Sequence, residues 1–269
     1  MRILTAVAIT VLLGVSALAQ SRSVWIEDYT GEEVVSLVGA GKTTLIYCGG
    51  ALHADGPAIA VGKHMRVGRV VAQRIAEELG NALVLPTNPY AEASAQMARA
   101  STSGTVIGGT ISLSPETYAL VTKDVVNTAL LAVRGSDGLA GTGFKTVFIM
   151  GDHSQGQDTL ERVAKDLDRE WRAKGVRVHY IDVARSGKAM MEDYLGKLNQ
   201  NIPRQRMTPI DDAAELMSVD PDRRWVREDK IPGDERKLVS ATLGKTFVDF
   251  KVNSALQQIR KLTAAPADQ

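Results

Sequence analysis

The sequence predicts an α/β fold: a single domain whose mostly parallel sheet carries helices on both faces. Three observations predict it. Short apolar, β-rich runs alternate with longer segments whose apolar residues recur at helical spacing. One run, Ala82-Leu83-Val84-Leu85, is continuously apolar up to Pro86, as suits a strand buried on both faces. The segments between runs are long enough for the crossover helices that parallel strands need.

The elements follow in order. Residues 44–48 (Thr-Leu-Ile-Tyr-Cys) form a first strand that ends at Gly49-Gly50. Residues 67–79 repeat Val67, Val70, Val71, Ile75 and Leu79 at helical spacing and stop at Gly80. The second strand covers residues 82–85. Ser114 is a good N-cap and Pro115 suits the first helical position, which predicts a helix to about residue 134. Residues 135–143 are Gly-rich and read as a loop. Residues 144–150 form the third strand, 159–174 an amphipathic helix ended by Gly175, and 176–181 the fourth strand. Residues 211–217 and 238–262 read as helices. Residues 223–236 read as a charged, solvated loop, and the last residues, 263–269, as a disordered tail.

Residues 1–19 lie apart from this pattern. Arg2 precedes an unbroken run of apolar or small residues, and Ala17-Leu18-Ala19 fits the small-x-small rule for signal-peptide cleavage. The run is short for a membrane span and no basic flank follows it. The expectation is an exported protein, periplasmic or secreted, with its domain over residues 20–262. A formal net charge of +1 gives no reason to expect nucleic acid or an anionic membrane as partner. The only cysteine, Cys48, cannot form an internal disulfide, and on its apolar strand it reads as a small buried hydrophobe.

In a parallel sheet, ligands bind beyond the carboxyl ends of the strands. Two strand ends are followed there by histidine and carboxylate. After the first come His53, Asp55 and, past Gly56-Pro57, Lys63-His64. After the third come Asp152 and His153. Imidazoles and carboxylates on neighbouring loops converge naturally on one divalent metal. The fourth histidine, His179, sits inside a strand and reads as structural. Asp152 is either a general base or the N-cap of the next helix. Glu92, Ser94 and Gln96 follow the second strand end and are candidates to line the pocket, whereas residues 101–104 read as solvated loop.

The order of these pieces resembles the creatininase family of metal-dependent amidohydrolases over roughly residues 26–262. The family has Gly-Ser/Gly-x-Glu-x-His-Gly-Pro-His after a strand, and here Gly49 to His64 stands there, anchored on Gly56-Pro57. Its Pro-Gly-Thr-Ile-Ser corresponds to Gly108-Gly109-Thr110-Ile111-Ser112. Its strand ending in Asn-Gly-His or Gly-Asp corresponds to Met150-Gly151-Asp152-His153, and its late Gly-Asp and Ala-Thr-x-x-Leu-Gly-Lys pieces to Gly233-Asp234 and Ala241-Thr242-Leu243-Gly244-Lys245.

The resemblance implies a metal held by His53, Asp55, His64 and His153: Zn by default, with Mn, Fe or Ni as other candidates. It implies water activated on that metal to cleave a small cyclic or linear amide, with Asp152 as first candidate base and Asp55 as second. It also implies a homo-oligomer. The family's ligands are not all present. Its Glu ligand falls on His53, its first His on Asp55, its metal-bridging Asp on His64 and its second acidic ligand on Gln155. Its downstream catalytic His belongs near residues 207–209, which are Met-Thr-Pro. A relative that binds metal or a small molecule without turnover is therefore the alternative. A serine mechanism at Ser154 is a third, but no Gly-x-Ser-x-Gly elbow surrounds it.

Overall fold

The computed structural model describes residues 23–92, 110–133, 143–198 and 207–264. The expected leader, Ser94, Gln96, residues 101–104, most of the Gly-rich stretch and residues 265–269 lie outside them.

Four strands form the main sheet: β1 (Thr44–Gly49), β3 (Ala82–Val84), β6 (Thr146–Gly151) and β7 (Arg177–Ile181), in the order β3-β1-β6-β7 and all parallel. Successive side chains on a strand point to opposite faces, so each strand supplies two cores. Leu45 and Tyr47 of β1 and Val147 and Ile149 of β6 face one layer. That layer is made of α1 (Gly31–Gly39), α3 (Pro115–Ala132) and α4 (Gln157–Trp171). Ile46, Cys48, Phe148 and Met150 face the other, with α2 (Lys63–Leu79) and α8 (Ala241–Ala264). Each fully buried aliphatic side chain in these layers contributes roughly 1.5–3 kcal/mol.

A smaller sheet, β2-β5-β4, stands beyond the end of β1. It pairs β2 (Leu52–His53) antiparallel with β5 (Thr110–Leu113), which runs parallel to β4 (Ala91–Glu92). Three further helices close the chain's last third: α5 (Ala184–Leu198), α6 (Met207–Ser218) and the one-turn α7 (Gly233–Arg236).

Several expectations need correction. The helix expected from residue 67 begins at Lys63, with Gly62 before it and no side-chain cap, so His64 lies in a first helical turn rather than a loop. The helix after β6 starts at Gln157 and its N-cap is Gly156, so Asp152 caps nothing. The stretch 223–236 is not wholly solvated. Its Val226 and Ile231 are buried against Ala58 and Ile59, because the charged residues between them face outward. The last helix continues through Thr263 and Ala264, two residues expected in the tail. Cys48 is fully buried, as read.

Two glycines set how closely helices approach. A Cβ on Gly50 would lie 2.7 Å from the Met65 Cα, so only glycine lets the end of β1 touch the start of α2. A Cβ on Gly244 of α8 would lie 1.7 Å from the Ala214 carbonyl oxygen of α6. No side-chain adjustment relieves a clash with backbone. Gly244→Ala should therefore cost more than the roughly 1–3 kcal/mol typical of an overpacked core, measured as the shift in the urea unfolding midpoint. A shift within experimental error would contradict this crossing.

Candidate metal centre

Three loops deliver the site. The turn after β1 leads into β2, whose His53 Nδ1 hydrogen-bonds the Thr110 hydroxyl across the small sheet. Asp55 follows two residues later. The first turn of α2 supplies Lys63 and His64, and the end of β6 supplies Asp152 and His153. The Gln157 side-chain amide donates to the His153 carbonyl, while Tyr180 Oη donates to Gln157 Oε1 at 2.6 Å. These bonds fix the backbone at His153.

The three imidazoles meet. Ring centroids are 6.3 Å apart for His53 and His64, 5.0 Å for His53 and His153, and 4.7 Å for His64 and His153. Two rings on one ion, with metal–nitrogen bonds of about 2.1 Å, have centroids at most about 6.5 Å apart. Only a linear nitrogen–metal–nitrogen arrangement reaches that limit; at a tetrahedral angle it is about 5.3 Å, which the two pairs made by His153 meet and the His53–His64 pair exceeds. Asp55 lies between two of them: Oδ1 is 3.2 Å from His53 Nε2, and Oδ2 is 3.6 Å from His64 Nε2. Asp55 Oδ2 is buried without a hydrogen-bond partner, as an oxygen awaiting a cation is. Burial and the two neighbouring rings push His153 down to about 3, which keeps it neutral as a ligand must be. In its chemistry, three imidazoles and a carboxylate, the donor set suits a divalent cation. Among the described residues no group of three or more His, Cys, Asp or Glu side chains stands placed to hold a metal ion. His53 and His64 are turned onto Asp55 instead.

Behind the imidazoles lies a buried ion network. Asp152 Oδ2 accepts from His64 Nδ1 at 2.9 Å and lies 3.9 Å from Lys63 Nζ; its Oδ1 accepts from Lys251 Nζ at 2.7 Å. Lys63 also meets Asp212 at 2.5 Å and Glu215 at 2.8 Å, and Lys251 meets Glu215 at 2.6 Å. Both lysines are 2 % exposed, so neither is screened by water. Burial alone would push the Asp152 carboxyl up, but Lys251, Lys63 and His64 together hold it well below the usual carboxylate range. A carboxylate engaged in this way is a poor base. Its geometry suits a positioning role instead, because accepting from Nδ1 turns His64 Nε2 toward Asp55. Burial and Lys63 push His64 down, but the Asp152 hydrogen bond and the nearby Asp55 carboxylate outweigh them and raise it above the usual imidazole value.

The predicted residues His53, Asp55, His64, His153 and Asp152 all line one pocket of about 180 Å³, joined by Ser154 and Gln155. Ser154 has no hydrogen bond to His153 or Asp152 among the described residues. Glu92 does not line this pocket and sits beside Gly156 instead. His179 is far from it, its ring 6.0 Å from that of Phe148. Sequence reasoning gave no role to Lys63, Lys188, Asp211, Asp212 and Lys251, which also line the pocket, or to Glu215 behind it. A readable signal existed for Lys251: it occupies the apolar stripe Phe247, Val248, Val252, Ala255 of its helix.

Removing one partner of a buried ion pair typically costs about 3–5 kcal/mol, because the other charge is left uncompensated. Lys251→Met should lose about that much stability to urea at pH 7. The gap from the wild type should narrow as pH falls through the carboxylate range, since protonated acids no longer need the cation. A pH-independent loss would point to packing alone.

Comparison with known proteins identifies the family and the fold. The sequence matches the family profile "Creatininase: Creatinine amidohydrolase" over residues 27–211. The fold resembles a crystal structure of creatinine amidohydrolase (creatininase), with TM-score 0.68, 19% identity, and coverage of 89% of this chain and 98% of that one. It resembles "Creatininase Mn" with TM-score 0.68 and 20% identity over the same shares. A putative creatinine amidohydrolase from Bacteroides fragilis NCTC 9343 aligns with TM-score 0.51 and 10% identity, covering 84% of this chain and 91% of that one. No curated protein matches the chain by sequence. With the profile spanning well over half its length, the chain belongs to the creatininase family.

Proposed function

We propose that this protein is an exported, metal-dependent amidohydrolase that cleaves a small cyclic or linear amide. One observation carries the reading: three imidazoles and Asp55 converge in a pocket beyond the carboxyl ends of β1 and β6. Export rests on the leader-like residues 1–19. Solved creatininases described as Zn-Zn and Mn forms, and one complexed with creatine, support a divalent metal and a small substrate.

In this reading His53, Asp55, His64 and His153 hold the metal, with Zn as the first candidate. A divalent cation there supplies a Lewis acid for the amide carbonyl and lowers the pKa of a water to about 7. The protein's own groups divide the remaining work. Asp152 fixes the tautomer and direction of His64. Asp55 is held below the usual carboxylate range because its bonds to His53 and His64 outweigh burial, so it too is a weak base. Asp211 differs. Burial and the adjacent Asp212 push its carboxyl well above the usual range, outweighing Lys63, so it gives up its proton less readily than an ordinary carboxyl. Asp211 lines the pocket, and a carboxyl shifted upward is the group there best suited to give a proton to the departing nitrogen. It stands on α6, the helix where the family resemblance places a catalytic histidine.

The alternative is a relative that binds metal without turnover. Gln155, in place of the family's second acidic ligand, favours it. A panel of small amides separates the two readings. The hydrolase reading predicts turnover that a chelator abolishes and Zn²⁺ or Mn²⁺ restores; metal bound with no turnover of any amide supports the alternative.

Asp211→Asn should lower kcat by roughly 100-fold or more with KM little changed. The stability effect has the opposite sign. A raised carboxyl is fully favourable below its unfolded value, near 3.9, and costs stability as pH rises through its folded value. The variant should therefore gain Tm relative to wild type as pH rises above about 4. Equal kcat in the two proteins would remove Asp211 from the chemistry.

A further inference from the structure

We propose that the Lys63 ammonium takes the place of a second metal ion, so that the centre holds one divalent cation per chain. The inference rests on the metal-dependent reading above and specifies its stoichiometry.

A two-metal site needs a carboxylate that bridges the ions, and one solved creatininase variant is described as a Zn-Zn type. In this chain the position that the resemblance gives to the bridging acid is His64. Its Nδ1 is committed to Asp152, so the ring has one nitrogen left for a metal. The acids that a second dication would require are present nearby as Asp152, Asp212 and Glu215, and each already faces an ammonium. Lys63 Nζ lies 2.5 Å from Asp212 Oδ1, 2.8 Å from Glu215 Oε2 and 3.9 Å from Asp152 Oδ2. It is also 3.5 Å from His64 Nδ1, directly behind the imidazole cluster. Lys251 covers the other oxygens of Asp152 and Glu215 at 2.7 and 2.6 Å.

Two ammonium groups thus stand within ion-pair distance of the three acidic side chains. A dication entering among them would meet both ammoniums at close range in a water-poor interior, where repulsion is least screened. A buried lysine also has no route to move its charge into solvent: Lys63 is 2 % exposed and its helix start is pinned by the Gly50–Met65 contact. The same position that excludes the second ion keeps the first one's ligand, His64, in place through Asp152.

The test counts metal rather than turnover. Metal-stripped protein is equilibrated with excess Zn²⁺, desalted and analysed for zinc per chain; a second sample is loaded with Mn²⁺ and examined by electron paramagnetic resonance. The wild type should hold one ion and give the six-line spectrum of isolated Mn²⁺. Lys63→Ala frees Asp212 and Glu215 and should hold two. Lys63→Arg, which keeps the charge, should still hold one. Two zinc ions in the wild type, or an exchange-coupled Mn²⁺ pair, overturn the inference and leave the metal reading intact. A folded Lys63→Ala protein holding one ion overturns the part assigned to Lys63. A wild type that binds neither metal sinks the metal reading and this inference together. Should Lys63→Ala fail to fold, the wild-type count and spectrum still decide between one ion and two.

Discussion

Two lysines and three carboxylates share a space from which water is almost excluded, and the arrangement of the rest of the site depends on their pairing. Lys63 comes from α2, Asp152 from the end of β6, Asp212 and Glu215 from α6, and Lys251 from α8. Burying any one of these charges alone costs several kcal/mol. The protein avoids that only if all four segments meet in one register. Such networks contribute little net stability against a well-packed apolar core, but they penalise every alternative packing. Here the penalty specifies position: α2 must present its first turn to β6 and α6, and α6 and α8 must cross closely enough to bring Lys251 to Glu215. The glycine at position 244, against the Ala214 carbonyl, is what permits that crossing.

The network also divides labour at the pocket. Asp152 looks from sequence like a base because it precedes a histidine at a strand end. In the structure it is consumed by two ammoniums and an imidazole, and what it supplies is direction. Asp55 is similarly engaged by two rings. Asp211 on the same pocket is shifted the other way: burial and Asp212 raise its carboxyl, outweighing Lys63. Carboxyls in one pocket are thus assigned different roles by their neighbours rather than by their own chemistry.

Much of the fold was legible in the sequence because burial on both faces leaves a plain mark. Ala82-Leu83-Val84 and the runs around Ile46 and Phe148 carry no surface alternation, and the helices between them end at Gly80 and Gly175, both left-handed. Elements with weak local signals were not legible. The two-residue strands β2 and β4 are too short to show a period. The start of α2 has glycine where a capping side chain would announce it, so Lys63 and His64 read as loop. Thr30 and Glu33 do form a capping box at α1, a mark that apolar spacing alone does not carry. At the site, His53, Asp55, His64, Asp152 and His153 could be named because strand ends collect ligands. Lys63, Lys251, Asp212 and Glu215 could not be paired from sequence, since the lysines and their acids lie far apart along the chain and meet only through tertiary packing.

The central claim is that the three imidazoles and Asp55 form a binding site for one cation. X-ray diffraction from crystals grown with Zn²⁺, recorded on both sides of the zinc absorption edge, tests it most directly. The account predicts a single anomalous peak in each chain, within bonding distance of His53, His64 and His153 and in front of Asp152. Zinc peaks found only elsewhere on the surface, with His53 and His64 still turned onto Asp55, would contradict it.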